Sequence, residues 1–564
     1  MARVVAIGKQ KFAEMREGNF FFVDKTGFIM DWWNAGDDIT LICRPRRFGK
    51  TLTLSMVECF LSLDYANRGE ELFGGLEVWN DSTMRELQGT VPVVALSFAG
   101  VKRPALSDTM IDLKRELRKA VDAHSYLAES PAISEGDRAY LARVCDDMDD
   151  ATATSCLREL CRMLHSHHGC KPVVLLDEYD TPMQEAWLGG YWDGMSSFVR
   201  SLFNATFKTN PDLGRGLITG ITRVASESIF SDLNNPKVIT TTTRKYEASF
   251  GFTQDEVDAA LVEFGLEDMR CAVEDWYDGF TFGDVGSIYN PWSITSFLDE
   301  GKIEPYWVNT SSNSLVSSIV RRSGKAFKSD FEELLRGGSV LKAVDEAVTF
   351  KHLYSNESAA WSLLLATGYL KVVGTQGEPG EELLALMLTN REVRVGFDRM
   401  VRRWFEDSGD DSYNAFVRAL LAGDSVEMGA YLADLAEGVM SSFDSGTKPS
   451  RNQPERFWHG LVLGLVVDLR GRYRVMSNPE SGYGRCDVML EPLDASDGVD
   501  PAIVLEFKVF DKNRGEKTLE DTLANALDQI RDRRYVADFE VRGIAAERIH
   551  CWGIAFCGKE VLVG

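Results

Sequence analysis

The sequence lacks long apolar runs, paired cysteines and the features of a secretory leader. The stretch "LVLGLVV" at 461–467 is among its longest apolar runs, far shorter than the roughly 18 residues that a membrane span needs. The first residues, "MARVVAIGKQKFAEM", lack the layout and cleavage site of a signal peptide. The ten cysteines are scattered singly with no C-x-x-C pair, which argues against a disulfide framework or a zinc ribbon. We therefore expect a soluble, cytoplasmic protein with reduced thiols and no membrane partner.

Positive charge is also scarce, because 62 Lys and Arg face 86 Asp and Glu, a net charge of −24. Such a chain is unsuited to coating nucleic acid nonspecifically, since that affinity comes from neutralising phosphates with Lys and Arg. The acidity is unevenly distributed: residues 451–564 carry 16 Lys and Arg against 19 Asp and Glu. A local basic surface is therefore compatible with the C-terminal end.

The chain is long enough for three or four domains at roughly 150 residues each, and its hydrophobic content of 44% is that of a globular protein. Three buried-strand patterns, "ITLIC" at 39–43, "VVLL" near 173 and "GLITGITR" at 216–223, are separated by helical stretches such as "TMIDLKRELRKAV". This alternation predicts an α/β fold with a mainly parallel sheet and helices on both faces.

The second half of the chain has a different pattern. Residues 250–440 are mostly helical in pattern, and "SSFDSGTKPSRNQP" at 441–454 is typical of a linker. Beyond it we expect a separate α/β module. Its predicted elements are a helix from about 454, short strands near 473, 486 and 502, a helix from about 518 to 535 and a final strand "CWGIAF".

The stretch "CRPRRFGKT", residues 43–51, ends like a phosphate-binding loop but starts differently. In the pattern G-x-x-x-x-G-K-[ST], backbone N–H groups wrap the phosphates, the Lys reaches the terminal phosphates and the hydroxyl binds Mg²⁺. Gly49, Lys50 and Thr51 are in register, whereas Arg44 occupies the first glycine position, where Pro45 can impose a fixed turn instead. A position between a strand and a helix favours nucleotide binding. The predicted nucleotide-binding residues are Arg46, Arg47, Phe48, Gly49, Lys50, Thr51 and Asp177.

The motif "VVLLDEYD" places Asp177, Glu178 and Asp180 at the end of an apolar strand. Even an unbonded neutral polar group costs roughly 2–7 kcal/mol in an apolar interior, and a charge costs much more. Ligands collect at the carboxyl ends of strands in open α/β sheets. We therefore predict that Thr51 and Asp177 address one Mg²⁺ while Glu178 orients or deprotonates the attacking water. The alternative for either segment alone is a helix N-terminus with acidic capping residues.

A second charged group lies in "PAIVLEFKV" at 501–509, an apolar strand that carries Glu506 and Lys508 on one face. "RCDVML" places Asp487 in another strand, on the face opposite Cys486 and Val488. Pairing of these strands can bring the three charged groups together. Two carboxylates can hold Mg²⁺, which polarises a phosphodiester and lowers the pKa of a bound water that Lys508 would steer. The alternative is a plain cross-strand ion pair.

These segments together resemble the AAA-ATPase-like proteins that carry a C-terminal PD-(D/E)xK nuclease domain. The resemblance covers nearly the whole chain. It is carried by "FFVDKTGFI", "RPRRFGKTLTLSM", "VVLLDEYDTPM", "GITRVASESIFSDLNNPK", "WYDGFTFG", "YNPWSI", "SGYGRCDVMLEP" and "PAIVLEFKV". In this family the loop reads R-P-R-R-F-G-K-[ST], so Arg44 is typical of it. The likeness implies Thr222 or Arg223 as a nucleotide sensor.

The resemblance also implies domains and nuclease residues. It implies an AAA-like ATPase domain at 1–245, a helical lid or middle region at 246–440 in which a winged-helix element is one option, the linker at 441–454 and a nuclease-like domain at 455–564. The family's D…E-x-K set is met as Asp487, Glu506 and Lys508, although "RC" stands where Pro usually precedes the Asp.

Four further residues are weaker candidates for the nuclease site. Glu455 and His459 share a face of a predicted helix and can approach the metal, but capping or core hydrogen bonds explain them equally well. Gln529 and Tyr535, on "ALDQIRDRRY", resemble a helix that contacts DNA in related nucleases. The "RDRR" run can serve the phosphate backbone, although a solvated charged face is the commoner explanation.

The expected function is ATP hydrolysis coupled to a Mg²⁺-dependent nuclease acting on DNA, with Mn²⁺ as an alternative metal and RNA left open as a substrate. By analogy alone, such fusions suggest defence against foreign DNA or its processing. The competing hypothesis is a nucleotide-dependent regulatory or scaffold protein whose C-terminal module binds nucleic acid without cutting it. A degenerate ATPase is a third, which the intact Lys50, Thr51, Asp177 and Glu178 argue against. The sequence leaves homo-oligomerisation open.

Overall fold

The computed structural model divides the chain into two compact units, Met1–Ile319 with Gly337–Val395, and Val320–Arg336 with Gly396–Gly564. It describes all residues except 1, 209, 225–235, 311–315, 318, 321–324, 336, 346, 349, 351–352, 354–355, 379–380, 407–411, 441–461, 463–464, 467–468, 470–471, 478, 482–483, 494–499, 512–514 and 558–559. No described helix is long and apolar enough to cross a membrane. The predicted domain limits at 245, 440 and 454 stay predictions.

The first unit contains a five-stranded parallel sheet, which confirms the predicted fold class. Its strands are β1 Ile39–Cys43, β2 Val93–Ser97, β3 Val173–Asp177, β4 Arg215–Gly220 and β6 Pro236–Ile239, with the short β5 Arg223–Val224 outside the sheet. The order is β2-β3-β4-β1-β6, so β4 separates β1 from β3. Every residue of β1 and β3 is buried, as expected for central parallel strands made of continuous apolar runs.

Helices alternate with these strands, as the sequence pattern predicts. They are Phe12–Glu17, Gly27–Ala35, Lys50–Leu61, Gly69–Phe73, Ser82–Leu87, Leu106–Asp122, Glu135–Leu141, Asp150–His168, Thr181–Gly189 and Trp192–Phe207. Leu106–Asp122 shows why: its buried positions, including Leu113 and Leu117, recur at helical spacing while most of its other positions are polar. Because the strands are parallel, their carboxyl ends lie at one edge of the sheet, where the phosphate loop and the acidic motif are found.

The middle of the chain is mainly helical, and it also contains strands that the sequence did not indicate. The helices are Gln254–Phe264, Arg270–Tyr277, Pro291–Glu300, Lys325–Leu335, Glu357–Ala366, Arg391–Glu406, Ser412–Ala422 and Ser425–Met440. The strands are β7 Phe280–Phe282, β8 Val285–Ile288, β9 Val340–Lys342, β10 Ala347–Val348, β11 Leu370–Gln376 and β12 Leu383–Leu388. β7 and β8 form a hairpin, β10 pairs with β5, and the other three form an antiparallel sheet in the order β11-β12-β9.

The second unit contains a mixed sheet, in which the middle strand is parallel to one neighbour and antiparallel to the other. Its elements are β13 Tyr473–Ser477, β14 Glu480–Ser481, β15 Gly484–Arg485, β16 Val488–Pro492, β17 Ala502–Val509, helix Leu519–Asp532, helix Ala537–Val541, β18 Ile549–Cys557 and β19 Glu560–Val563. The order is β13-β16-β17-β18-β19, with β14 and β15 as a separate hairpin. β18 was predicted as the last strand, and β19 follows it as an antiparallel partner.

The two faces of β17 are buried in different clusters, as its alternation predicts. Ile503, Leu505 and Phe507 lie in one cluster with apolar residues of helices Ser412–Ala422 and Ser425–Met440. Val504 lies in the other, with Ile530 of helix Leu519–Asp532. A strand that is buried on both faces has no solvated side to receive a charge. Charged residues at its carboxyl end therefore need specific partners.

The buried carboxylate of Glu392 lies outside both candidate sites. It is 1% exposed and accepts hydrogen bonds from the Ser293 hydroxyl and from the backbone N–H groups of Trp307 and Val308. Burial raises the pKa of Glu392 to about 7, and these hydrogen bonds oppose the rise without cancelling it. The folded chain therefore holds this proton more tightly than the unfolded chain does.

This pKa makes Glu392 a source of pH-dependent stability. Because the folded pKa lies above its ordinary value of 4.5, the stability contributed by Glu392 is fully present below pH 4.5 and is lost, by about 3 kcal/mol, as the pH rises from there through 7. The Glu392→Gln variant should lose this contribution, so it gains stability relative to wild type between pH 5 and pH 8. Thermal melting across that range measures the difference. The exposed Glu129→Gln variant is the control, and parallel wild-type and Glu392→Gln curves would contradict the assignment.

Candidate functional sites

The phosphate loop leaves β1 and ends at helix Lys50–Leu61, the strand-loop-helix setting that the sequence predicts. Gly49, the residue before the helix, has φ of 80°, a left-handed conformation in which glycine is unstrained. No described residue accepts a hydrogen bond from the backbone N–H groups of residues 46–51. These amides at a helix N-terminus form a group of donors suited to an anion.

Lys50 lies beneath this loop. Its side chain is buried, and Nζ donates to the carbonyl oxygens of Arg44 at 2.8 Å and Pro45 at 2.7 Å. Burial lowers the pKa of Lys50, while the charges of Glu178 and Asp177 oppose that change. The ammonium is therefore held close to both the loop and the acidic motif.

Thr51 and Asp177 are brought together across the sheet edge. The Thr51 hydroxyl donates to Oδ2 of Asp177 at 2.6 Å, and the Thr219 hydroxyl donates to Oδ1. Burial raises the pKa of Asp177, and both hydroxyls oppose the rise. Sequence reasoning missed Thr219, although a threonine in the buried, mainly apolar part of β4 was a usable signal.

Glu178 follows Asp177 in an uncommon backbone conformation. Its φ is 48°, in the left-handed region that residues with a side chain rarely adopt. The half-buried side chain accepts a hydrogen bond from the Thr181 hydroxyl at 3.1 Å. Such strain persists where the surrounding structure enforces it, and it clusters at functional sites.

Asp180, the third acid of the motif, is hydrogen-bonded inside the protein, which the sequence did not predict. It is fully buried, and Oδ2 accepts from the backbone N–H of Ile221, the N–H and hydroxyl of Thr222, and Nε2 of Gln184. These bonds turn the chain after Gly220, so β4 ends there and not at 223 as predicted. The hydroxyl of Thr222, a predicted sensor, is thus bonded to Asp180.

The other predicted loop residues contact protein groups. Arg44, fully buried, donates to the carbonyls of Cys43, Thr240 and Tyr246, so the side chain at the first glycine position belongs to the core. The remaining contacts are Arg46 with Gln184, Arg47 with Trp292, and Phe48 with Phe280 and Phe282. Arg223, the other predicted sensor, lies in β5, and its Nε has no hydrogen-bond acceptor among the described residues.

The second site lies where β16 and β17 pair. Oδ2 of Asp487 accepts from the backbone N–H of Phe507 at 2.8 Å, and Nζ of Lys508 donates to Oε1 of Glu506 at 2.9 Å. The structure thus brings the three predicted residues together. Their proximity follows from the register, in which Val488 is opposite Leu505.

One atom of this site has no hydrogen-bond partner in the described part of the chain. Glu506 is 1% exposed, and its Oε2 has no partner among the described residues. Burial and the charge of Asp487 raise the pKa of Glu506 to about 7, and burial raises the pKa of Asp487 as well. A cation beside both carboxylates would reverse these shifts, so the donor set fits a hard metal ion.

The metal would have few protein ligands. Within the described part of the chain, no group of three or more His, Cys, Asp or Glu side chains is placed to hold a metal ion. Mg²⁺ commonly takes only one or two carboxylates and completes its shell with water and substrate phosphate. Glu455 and His459, the weaker candidates for this site, lie outside the described residues.

Gln529 and Tyr535 both reach the second site. Nε2 of Gln529 donates to Oε1 of Glu506 and to the Tyr535 hydroxyl, which donates to the carbonyl of Arg485 at 2.7 Å. The face predicted for Cys486 was wrong, because it packs with Met489 on the side opposite Val488. β16 begins only at Val488, so strict alternation does not extend back to Cys486.

Two protein-family models match the chain, and each spans one of the candidate sites. Residues 6–230 match a family described as predicted AAA-ATPase, and residues 453–564 match the PD-(D/E)XK nuclease superfamily. A protein of Azotobacter chroococcum mcd 1, described as an uncharacterized protein in the vnfD 5' region, is 25% identical over 565 residues. That alignment covers 98% of this chain and 96% of the relative. The two matches agree with the expected order along the chain, an AAA-ATPase-like region followed by a C-terminal PD-(D/E)XK nuclease-like region.

Proposed function

We propose that this protein binds and hydrolyses ATP in its N-terminal region and cleaves DNA in its C-terminal region, with a divalent metal at each site. The observation that carries the first half is the 2.6 Å bond between Thr51 and Asp177, beside Lys50 and a loop whose amides have no acceptor in the described part of the chain. The observation that carries the second is Oε2 of the buried Glu506 next to Asp487, which has no hydrogen-bond partner among the residues that the structure describes.

At the first site the loop amides bind the phosphates and Lys50 neutralises their charge. Thr51 and Asp177 would hold Mg²⁺, which would supply charge stabilisation to the transferring phosphoryl group. Glu178 orients the attacking water or accepts its proton, and its enforced backbone conformation supports a fixed position for that carboxylate. Arg223 is the proposed sensor of the terminal phosphate, and Thr222 supports the same strand tip.

At the second site Asp487 and Glu506 hold Mg²⁺, for which Mn²⁺ can substitute. The metal supplies a Lewis acid and a water of lowered pKa. Lys508 orients that water or stabilises the negative charge that develops on the phosphodiester. Gln529 fixes the Glu506 carboxylate, and Tyr535 connects it to the strand that carries Arg485.

A second candidate function has an observation in its favour. The Lys508 ammonium lies 2.9 Å from Oε1 of Glu506, so the two side chains form an ion pair that needs no metal. A domain with such a pair would bind nucleic acid without cutting it. In either case we propose a cytoplasmic protein in which the bound nucleotide changes how the C-terminal module is presented. RNA is an alternative ligand for that module. A homo-oligomer is the proposed assembly. The ten free cysteines support a reducing compartment.

ATP turnover tests the first half. Lys50→Ala removes the buried ammonium from the phosphate loop, and Asp177→Asn removes the charge facing Mg²⁺. Each should lower kcat/KM for ATP by at least about 100-fold, the size of effect expected when one electrostatic contact to the transition state is lost. Release of inorganic phosphate measures this, with exposed Lys102→Ala as the control. Unchanged turnover in Lys50→Ala would place the phosphate site elsewhere.

DNA cleavage with Mg²⁺ or Mn²⁺ tests the second half on linear, circular and single-stranded DNA, with and without ATP. Asp487→Asn keeps an oxygen to accept from Phe507 while removing the charge, and Lys508→Ala removes the ammonium. Both should reduce cleavage by at least about 100-fold, and a chelator should abolish it in wild type. Glu491→Gln on β16 is the matched control. Metal-independent binding of DNA by wild type with no cutting would favour the second candidate.

A further inference from the structure

The middle of the chain holds the phosphate loop from its outer side. Four loop residues contact it through their side chains: Arg44 with Phe282, Pro45 with Gly368, Arg47 with Trp292 and Phe48 with Phe280. At Gly368 an added Cβ would lie 2.9 Å from Pro45, so the approach there is close. Arg46 differs from these four, because the middle of the chain contacts it through its backbone carbonyl oxygen.

Two buried side chains donate to that carbonyl. The oxygen of Arg46 accepts from Nδ2 of Asn290 at 3.3 Å and from Nε1 of Trp307 at 3.1 Å. We call this pair of donors the carbonyl clamp. Asn290 is 1% exposed and Trp307 is 2% exposed. A buried donor without a partner is costly, so both bonds favour a single orientation of the Arg46 peptide.

Fixing this carbonyl also fixes the next amide. A trans peptide is planar, so the N–H of Arg47 points away from the Arg46 oxygen and therefore away from the clamp. No described residue accepts a hydrogen bond from that N–H. Arg47 also has φ of 67°, an uncommon conformation that the surrounding contacts must maintain.

We propose that Asn290 and Trp307 are positioning residues for ATP, because the carbonyl clamp orients the Arg47 N–H toward the bound phosphates. This inference rests on the proposed nucleotide site and assigns two residues to it that touch no substrate. In the usual loop, glycines let the backbone turn freely into its phosphate-binding shape. Here donors from outside the loop enforce the shape on a sequence that has Arg, Pro, Arg and Arg at its start.

The clamp is itself held in place. Oδ1 of Asn290 accepts from the backbone N–H groups of Trp292 and Ser293 at the start of helix Pro291–Glu300, which leaves Nδ2 for the loop. The Trp307 ring packs between Phe280 and Tyr369 at centroid distances of 5.7 Å and 5.3 Å.

The backbone of Trp307 is fixed as well, because its N–H donates to the buried carboxylate of Glu392. Neither donor can therefore follow the loop if the loop relaxes.

Two substitutions each remove one donor of the carbonyl clamp. Trp307→Phe keeps an aromatic ring between its neighbours but removes the indole N–H donor and some ring volume, and the Trp32→Phe control described below shares both losses. Asn290→Asp keeps the oxygen that caps the helix and places a second oxygen against the Arg46 carbonyl. Each should weaken binding of a nonhydrolysable ATP analogue with Mg²⁺ by about 3- to 10-fold, the effect of one lost hydrogen bond. KM for ATP should rise by the same factor, and kcat should stay within about twofold, because the interaction is present throughout the reaction.

Trp32→Phe is the matched control. Trp32 is fully buried and donates Nε1 to the Thr40 hydroxyl at 3.0 Å, so this variant loses the same kind of bond without touching the loop. Calorimetry of the analogue and thermal melting of each full-length variant separate a loss of affinity from a loss of stability. If Trp307→Phe does not fold, Asn290→Asp decides.

The proposal predicts weakened binding in the clamp variants and wild-type binding in Trp32→Phe. Clamp variants that bind the analogue as tightly as Trp32→Phe would overturn it, provided that Lys50→Ala has lost binding. If Lys50→Ala binds the analogue as wild type does, the proposed nucleotide site itself fails, which is a distinct result.

Discussion

Both candidate sites depend on one constraint: a charge beside a fully buried strand must be compensated, because an unpaired buried charge is very costly. Asp177 at the end of β3 receives two hydroxyl donors, and Glu506 in β17 receives an ammonium and an amide. In each case burial still raises the pKa of the carboxyl group. Protein partners therefore compensate these charges only in part. The remaining deficit is what a divalent cation at each site would supply.

The phosphate loop differs from the usual pattern because its first position is not glycine. Arg44 at that position is drawn into the core by the carbonyls of Thr240 and Tyr246. Its cationic charge therefore supports the fold, while the loop shape comes from contacts behind it, among them Trp307 on the Arg46 carbonyl. In such a loop, contacts from outside fix the backbone shape that glycine would otherwise allow. Its geometry then depends on the packing of the middle of the chain, which would give that region a direct influence on the proposed nucleotide binding.

Local pattern predicted the parallel sheet, the separation of the two faces of β17 and the meeting of Thr51 with Asp177, because each follows from strand periodicity and from the rule that parallel strands end at one edge. The same reasoning could not predict that Asp180 binds the tip of β4, or that Asn290 binds the loop. Those contacts join residues far apart in sequence, and they depend on how the chain turns between elements. The face of Cys486 was wrong for a related reason, since alternation holds only within a strand.

Counting divalent ions on the full-length chain tests the central claim most directly. With a nonhydrolysable ATP analogue present, equilibrium binding of Mn²⁺, followed by electron paramagnetic resonance, should give two sites. The Asp177→Asn substitution should remove one of them and Asp487→Asn the other. A wild-type chain that binds no Mn²⁺ at either set of carboxylates, or a count that both substitutions leave unchanged, would contradict the account.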